Sequence, residues 1–171
     1  MKIGRITISD RASASVYADR SGPEIESVLR EVLGAEAEFD TALVPDEANL
    51  ISAKLREMAD QAGCDLIVTT GGTGISARDV TPEATRMVIE KELPGFGEAM
   101  RMQSLAKVKT AILSRATAGT RGRSLIVNLP GKPAAVRECL AILAPAIREG
   151  VAHLRGEDPH SPAMQTPPNH E

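Results

Sequence analysis

The sequence predicts an α/β fold with a mostly parallel sheet, an antiparallel strand pair and helices on both faces. Three observations lead there. Short strand-like runs alternate with apolar positions at helical spacing, glycines close the helical segments, and two late strand-like runs flank a polar, Gly-containing connection. Parallel crossovers must be covered on both faces, and ligands of such sheets sit beyond the carboxyl ends of the strands.

Segment 3–8 reads as the first strand. Ser21 and Glu24 form a capping-box pattern ahead of Ile25, Val28, Leu29, Val32 and Leu33, and Gly34 stops that helix. A second strand over 38–44 precedes a helix from Glu47 with Ile51, Leu55, Met58, Ala59 and Ala62 on one face, closed by Gly63. The run 65–70 is a compact β-branched strand. Thr81 and Pro82 look like an N-cap and first helical residue, followed by Ala84, Met87 and Val88. Another helix starts at Pro94 and carries Phe96, Met100 and Leu105. Segments 110–113 and 124–129 read as the antiparallel pair. The last helix begins near Pro133 and carries Val136, Leu140, Leu143, Ile147, Val151 and Leu154, with Pro145 removing one backbone donor inside it.

A chain of 171 residues suits one domain, assigned to 1–155, with 156–171 a flexible polar tail rich in Pro, His, Ser and Asn. Hydrophobic residues make up 42% of the chain, which excludes wholesale disorder. Tyr17, Phe39 and Phe96 are the only aromatics and the net charge is −3, a combination that disfavours a nucleic-acid partner. Cys64 and Cys139 cannot form a disulfide framework and are expected to be buried thiols. No apolar run is long enough to span a bilayer and no signal-peptide core leads the chain, so the expected location is cytoplasmic, without membrane association. The histidines lack zinc-ligand spacing, and no Ser-His-Asp or Cys-His pattern is present.

The strongest local signal is Thr69-Thr70-Gly71-Gly72-Thr73-Gly74, which leaves a buried strand through glycines that let backbone N–H groups meet an anion. Tight strand–helix packing is the alternative use of the same turn. Neither a Walker A loop nor the G-x-G-x-x-G spacing fits. Asp79, five residues beyond Gly74, would place a carboxylate over the same site. There it would repel phosphate unless Mg²⁺ lies between them; otherwise it serves as a turn or capping aspartate. Asp46, after the second strand, offers the same choice between metal and N-cap.

Ser9-Asp10-Arg11-Ala12-Ser13 follows the first strand and offers hydroxyls and a guanidinium to phosphate, or simply a polar loop. Asn128-Leu129-Pro130-Gly131 ends the last strand, either as a further anion turn or as a connector. Ser114, Arg115, Arg121, Arg123 and Ser124 suit a second anionic group or a solvated charge cluster.

These blocks, with Pro45-Asp46-Glu47, Arg78-Asp79-Val80-Thr81-Pro82-Glu83 and Pro94-Gly95-Phe96-Gly97-Glu98, occur in an order that resembles the molybdopterin adenylyltransferase (MogA-type) family. The matching domain of gephyrin and of plant cofactor proteins is similar. The likeness runs from about Lys2 to Leu154. It implies a three-layer αβα fold, usually a trimer, that binds molybdopterin and MgATP, transfers AMP to the terminal phosphate of molybdopterin and releases pyrophosphate. It further implies that Asp46 and Asp79 are catalytic and metal-associated. Ser9, Asp10, Thr70, Gly71, Gly72, Thr73 and Gly74 would hold the nucleotide phosphates, and Ser114, Arg115, Ser124, Asn128, Pro130 and Gly131 the pterin substrate. A molybdenum-insertion protein is a candidate partner for the product. Two rivals stand beside this reading: a non-catalytic pterin- or protein-binding module, and a nucleotide hydrolase on the same fold.

Overall fold

The computed structural model describes residues 1–157; the assigned tail falls outside them from residue 158 onward. Six strands form one sheet: β1 (Lys2–Ile8), β2 (Glu38–Val44), β3 (Leu66–Thr70), β4 (Lys91–Glu92), β5 (Ala118–Arg121) and β6 (Ser124–Leu129). Their spatial order is β2-β1-β3-β6-β5-β4. β2, β1, β3 and β6 run parallel, while β5 is antiparallel to both β6 and β4. The helices are α1 (Asp10–Ser13), α2 (Ser21–Leu33), α3 (Ala48–Arg56), α4 (Thr81–Arg86), α5 (Pro94–Leu105) and α6 (Pro133–Arg155).

The central strands are buried on both faces, and alternation splits their side chains between two cores. Ile3, Leu66, Val68, Leu125 and Val127 pack with Ile25, Leu29, Leu140, Leu143 and Ile147 of α2 and α6. Ile6, Ile8, Ile67 and Ile126 pack with Ile51, Leu55, Ala84 and Val88 from α3, α4 and the turn that follows α4. The order therefore reverses between β1, whose chain goes out to β2, and β3, which lies on the other side of β1. That reversal leaves a crevice at the carboxyl ends of β1 and β3.

Three local readings are corrected. Residues 110–113 form no strand; Lys109–Leu113 is a 3₁₀ turn with Ile112 and Leu113 exposed. The partner of β6 is instead Ala118–Arg121, joined to it through Gly122 and Arg123. Close approach decided this, against β-propensity: a Cβ on Gly119 would lie 2.6 Å from the Lys91 carbonyl oxygen, so small residues hold the place of an apolar run. Ser21 does not cap α2; its hydroxyl donates to Gly131 O at 2.7 Å, and Asp19 accepts the Gly22 N–H at 2.9 Å. Thr81 is the first residue of α4, beyond the cap position held by Val80, and its hydroxyl donates to Gly71 O at 2.9 Å. In both cases a tertiary acceptor outcompetes the local cap.

Apart from the short α1, read as a loop, and the two-residue β4, which the sequence reading did not include, the other elements agree with the sequence pattern. α3 begins after Glu47 and passes into a wider π turn at Glu57–Gln61. α6 accommodates Pro145 within 23 helical residues and ends on Gly156 in the left-handed conformation. Cys64 and Cys139 are free and buried. No helix among the described residues is long and apolar enough to cross a membrane.

Candidate functional site

The loops leaving β1, β2, β3 and β6 converge on the crevice. They enclose a cleft of about 420 Å³ lined by Ser9, Asp10, Asp46, Thr70, Gly71, Gly72, Asp79 and Gly131, together with Thr7, Tyr17, Asp19, Ser21, Ser76 and Arg78. The glycine turn forms its floor. Gly71 and Gly72 have φ of +102° and +62°, which L side chains rarely adopt. A Cβ on Gly71 would lie 2.1 Å from the Ile8 carbonyl oxygen, and one on Gly72 would lie 2.9 Å from Asp46 Oδ1. The chain thus turns hard against β1 and brings main chain up to the Asp46 carboxylate.

Hydrogen bonds fix the turn from several sides. Thr70 Oγ1 donates to Pro130 O at 2.7 Å, the Gly71 N–H to Leu129 O at 3.3 Å, and the Thr81 N–H to Gly72 O at 3.1 Å. Gly71 therefore offers no N–H to a ligand, whereas those of Gly72, Thr73 and Gly74 have no acceptor among the described residues. Three consecutive unpaired amides in a turn form a concave donor set of the type that receives anions.

Charge around this floor is unevenly distributed. Arg78 grips Asp10 with two bonds, at 2.9 and 2.8 Å, and this pairing, followed by the Asp46 main-chain contact, holds the Asp10 carboxyl below its ordinary range. Asp46 behaves oppositely. Burial pushes its carboxyl above the ordinary range, and repulsion from Asp10 and Asp79 adds to the rise. Asp79 accepts from the Ser76 N–H at 2.8 Å and the Ser76 hydroxyl at 2.5 Å, so its oxygen is anchored at the lip of the loop. These three aspartates and Gly72, whose amide is unpaired, line the same cleft, with Arg78 paired at its edge.

The predicted residues divide into those the fold brings together and those it separates. Asp46 is not a helix cap: Glu47 holds that position and the Asp46 side chain accepts the Asp10 N–H. Thr73 and Gly74 continue the turn next to the cleft. Pro130 contributes its carbonyl to Thr70, and Gly131 reaches the cleft wall. Ser114 and Arg115 border a second hollow of about 310 Å³ with Arg86, Glu92, Arg101 and Thr117.

Asn128 is fully buried, its Nδ2 donating to Thr69 Oγ1 at 3.1 Å and Thr85 Oγ1 at 2.9 Å, a tie between β6, β3 and α4 that leaves its Oδ1 without a partner among the described residues. Ser124 starts β6 at the end of the sheet opposite the crevice and donates to Cys64 O at 2.6 Å. Arg121, nearby, pairs with Asp60. Strand direction sets Ser124 apart, since only the carboxyl ends of the parallel strands open on the crevice, whereas Asn128 lies near that end of β6 but is buried.

Sequence reasoning passed over Arg78, Asp19, Thr7, Tyr17, Ser21 and Ser76 as site residues. Arg78 adjoins Asp79 in a polar loop, and an arginine beside an acidic cluster is a usable signal. Asp19 could have been found as the acceptor three residues before Gly22; Thr7, on a β-strand, carries no such mark.

Comparison with known proteins agrees with this geometry. Residues 4–149 match a family described as a probable molybdopterin binding domain. A Helicobacter pylori (strain J99) protein named molybdopterin adenylyltransferase is 57% identical over 145 residues, covering 85% of this chain and 82% of that protein. The Escherichia coli K12 protein of the same name is 46% identical over 153 residues, covering 90% and 78%. The crystal structure of a molybdopterin biosynthesis enzyme, MoaB, from Thermus thermophilus superposes with a TM-score of 0.82 at 42% identity, covering 91% of this chain and 97% of that one. With its crevice, glycine turn and aspartates in one continuous match, this chain belongs to the molybdopterin-binding domain family of molybdenum cofactor biosynthesis.

Proposed function

We propose that this chain is a molybdopterin adenylyltransferase, moving AMP from ATP to the terminal phosphate of molybdopterin with release of pyrophosphate. Relatives at 57% and 46% identity bear that name. The observation that carries the reading is the cleft that Asp46 and Asp79 share with Gly72, where the run of unpaired Gly72–Gly74 amides begins.

The chemistry asks little of a general base, because a phosphate nucleophile is already anionic. Rate then comes from orientation and from charge placed where charge develops. The Gly72, Thr73 and Gly74 amides receive phosphate oxygens, and the loop 9–13 with Arg78 closes over them. Asp46 and Asp79 would hold Mg²⁺, which when bound neutralises charge building toward pyrophosphate.

The donor set suits such an ion. Asp46 is raised by burial and by two neighbouring carboxylates, a strain that a cation relieves. Among the described residues no group of three or more His, Cys, Asp or Glu side chains could hold a metal, so phosphate oxygens would complete the shell, the usual arrangement for Mg²⁺. Gly131 and the hollow at Ser114 lie at the pterin side of this reading. A homotrimer belongs to the same reading, supported by exposed Met102, Val108, Ile112 and Leu113 on one stretch of chain; a monomeric mass by light scattering would remove the trimer.

Incubating the purified protein with molybdopterin, ATP and Mg²⁺ and resolving the products tests the reaction. Adenylylated pterin and pyrophosphate in equal amounts are expected. Bound but unmodified pterin would indicate a binding module, and ADP or AMP formed without pterin a hydrolase.

A further inference from the structure

The loop from Gly74 to Asp79 carries the Asp79 carboxylate, yet it contains no strand or helix of its own. Its two ends are held by one side chain. Arg115 Nε donates to Gly74 O at 2.6 Å and Arg115 Nη2 donates to Asp79 O at 2.5 Å. The third guanidinium nitrogen is paired with Glu83 in the first turn of α4, and the Arg115 N–H donates to Thr73 O at 2.8 Å. One residue therefore ties the glycine turn, the residue bearing the carboxylate and the following helix.

Arg115 is itself braced. Arg101 Nη1, from α5, donates to Ser114 O and Ala116 O, both at 3.2 Å, so the main chain on each side of Arg115 is pinned. Gly97 lets α5 come this close, since a Cβ there would lie 2.3 Å from Ala116 O. Three of the five guanidinium N–H groups, one on each nitrogen, are thus committed to protein oxygens on three different segments. Only a planar fork can span the two carbonyls; an ammonium keeps the charge and loses the span.

We propose that Arg115 is a positioning residue that staples the two ends of the Gly74–Asp79 loop and so aims the Asp79 carboxylate, rather than a ligand of the pterin. The proposal rests on the adenylyltransferase reading for its effect on rate, but the staple is a property of the folded chain alone. A misplacement of about 1 Å at a reacting group costs on the order of 10²-fold in rate. Loss of a substrate contact shared by ground and transition states would instead raise KM with kcat unchanged.

The test compares wild type, Arg115→Lys and Arg115→Ala by steady-state kinetics with molybdopterin and MgATP, and by amide deuterium uptake without ligand. Both variants should lose about 10- to 100-fold in kcat with KM for molybdopterin within about twofold of wild type, and uptake should rise across residues 75–79. A roughly tenfold or greater rise in KM for molybdopterin at unchanged kcat would overturn the proposal, as would wild-type uptake in that loop. Should Arg115→Ala not fold, Arg115→Lys decides the question. If wild type forms no adenylylated pterin, the functional reading falls, whereas the uptake comparison still decides whether the staple exists.

Discussion

The main-chain N–H of Asp10 donates to the Asp46 carboxylate at 2.8 Å, and the main-chain N–H of Asp46 returns a bond of 3.0 Å to the Asp10 carboxylate. This reciprocal pair joins the loops after β1 and β2 and holds two acidic groups together in one wall of the cleft. Of the two, Asp10 is the one ion-paired to Arg78. Asp46 is left as the acid that burial and its neighbours raise.

Asp46→Asn separates chemistry from stability. A carboxyl raised in the folded state contributes stability fully below its unfolded pKa and loses that contribution as pH rises through its folded value. At neutral pH the ionised Asp46 therefore works against folding. Asparagine can still accept the Asp10 N–H. The variant should melt at or above the wild-type temperature near pH 7 while adenylylation falls about 100-fold, a loss of the size seen when a charge-stabilising group is removed. A lower melting temperature with intact turnover would reverse the assignment.

Asp79→Asn should reduce pyrophosphate release by about 100-fold, roughly 2.7 kcal/mol of transition-state stabilisation. Ser76 can continue to donate to an amide oxygen at that position, so deuterium uptake in the loop should stay near wild type. Near-normal release would remove Asp79 from the mechanism.

Arg78→Gln takes the paired cation from a cleft edge shared by Asp10, Asp46 and Asp79. KM for ATP should rise about tenfold. The Arg78–Asp10 pair is exposed, so its loss should barely move the melting temperature. The KM difference between variant and wild type should shrink at high salt, which titration with sodium chloride would detect.

Gly71→Ala and Gly34→Ala distinguish backbone conformation from close approach. Both glycines have positive φ, +102° and +109°, but only Gly71 faces a carbonyl, while a Cβ on Gly34 meets nothing within 4 Å. Gly34→Ala should cost about 1–2 kcal/mol for conformation alone. Gly71→Ala should cost about 1–3 kcal/mol more from the backbone collision. Equal urea midpoints would contradict the account.

Cys64 and Cys139 should resist a thiol reagent at about pH 8 until the chain unfolds. Burial pushes each thiol up to about 11, so little thiolate forms and access is closed as well. Labelling of either residue in native protein at the rate of a free thiol would show that its cover opens.

The parallel core was legible because Ile3, Ile6, Leu66, Ile67, Val68 and the face of Ile25 and Leu29 announce themselves by period and composition. The glycine turn and both aspartates could be found for the same reason, since sharp turns and strand ends mark themselves locally. What escaped was set by partners distant in sequence. Ala118 and Gly119 became strand because Ile126 and Val127 lie beside them, while Ile112 and Leu113 found no such neighbour. Ser21 looked like a cap until the carbonyl of Gly131 was in reach. Ser124 stands at the amino end of β6 and Asn128 near its carboxyl end but turned into the core, while Gly131 lies past the strand on the cleft, distinctions of place and burial that no short motif records.

The cleft wall is sewn from segments far apart along the polypeptide: Asp10 to Arg78, Thr70 to Pro130, and Ser21 to Gly131. A nascent chain still lacking residue 131 cannot assemble it, however well its earlier half has collapsed. Ligand affinity in this molecule should consequently report on completed synthesis and native topology, since long-range pairings of this kind close late in folding.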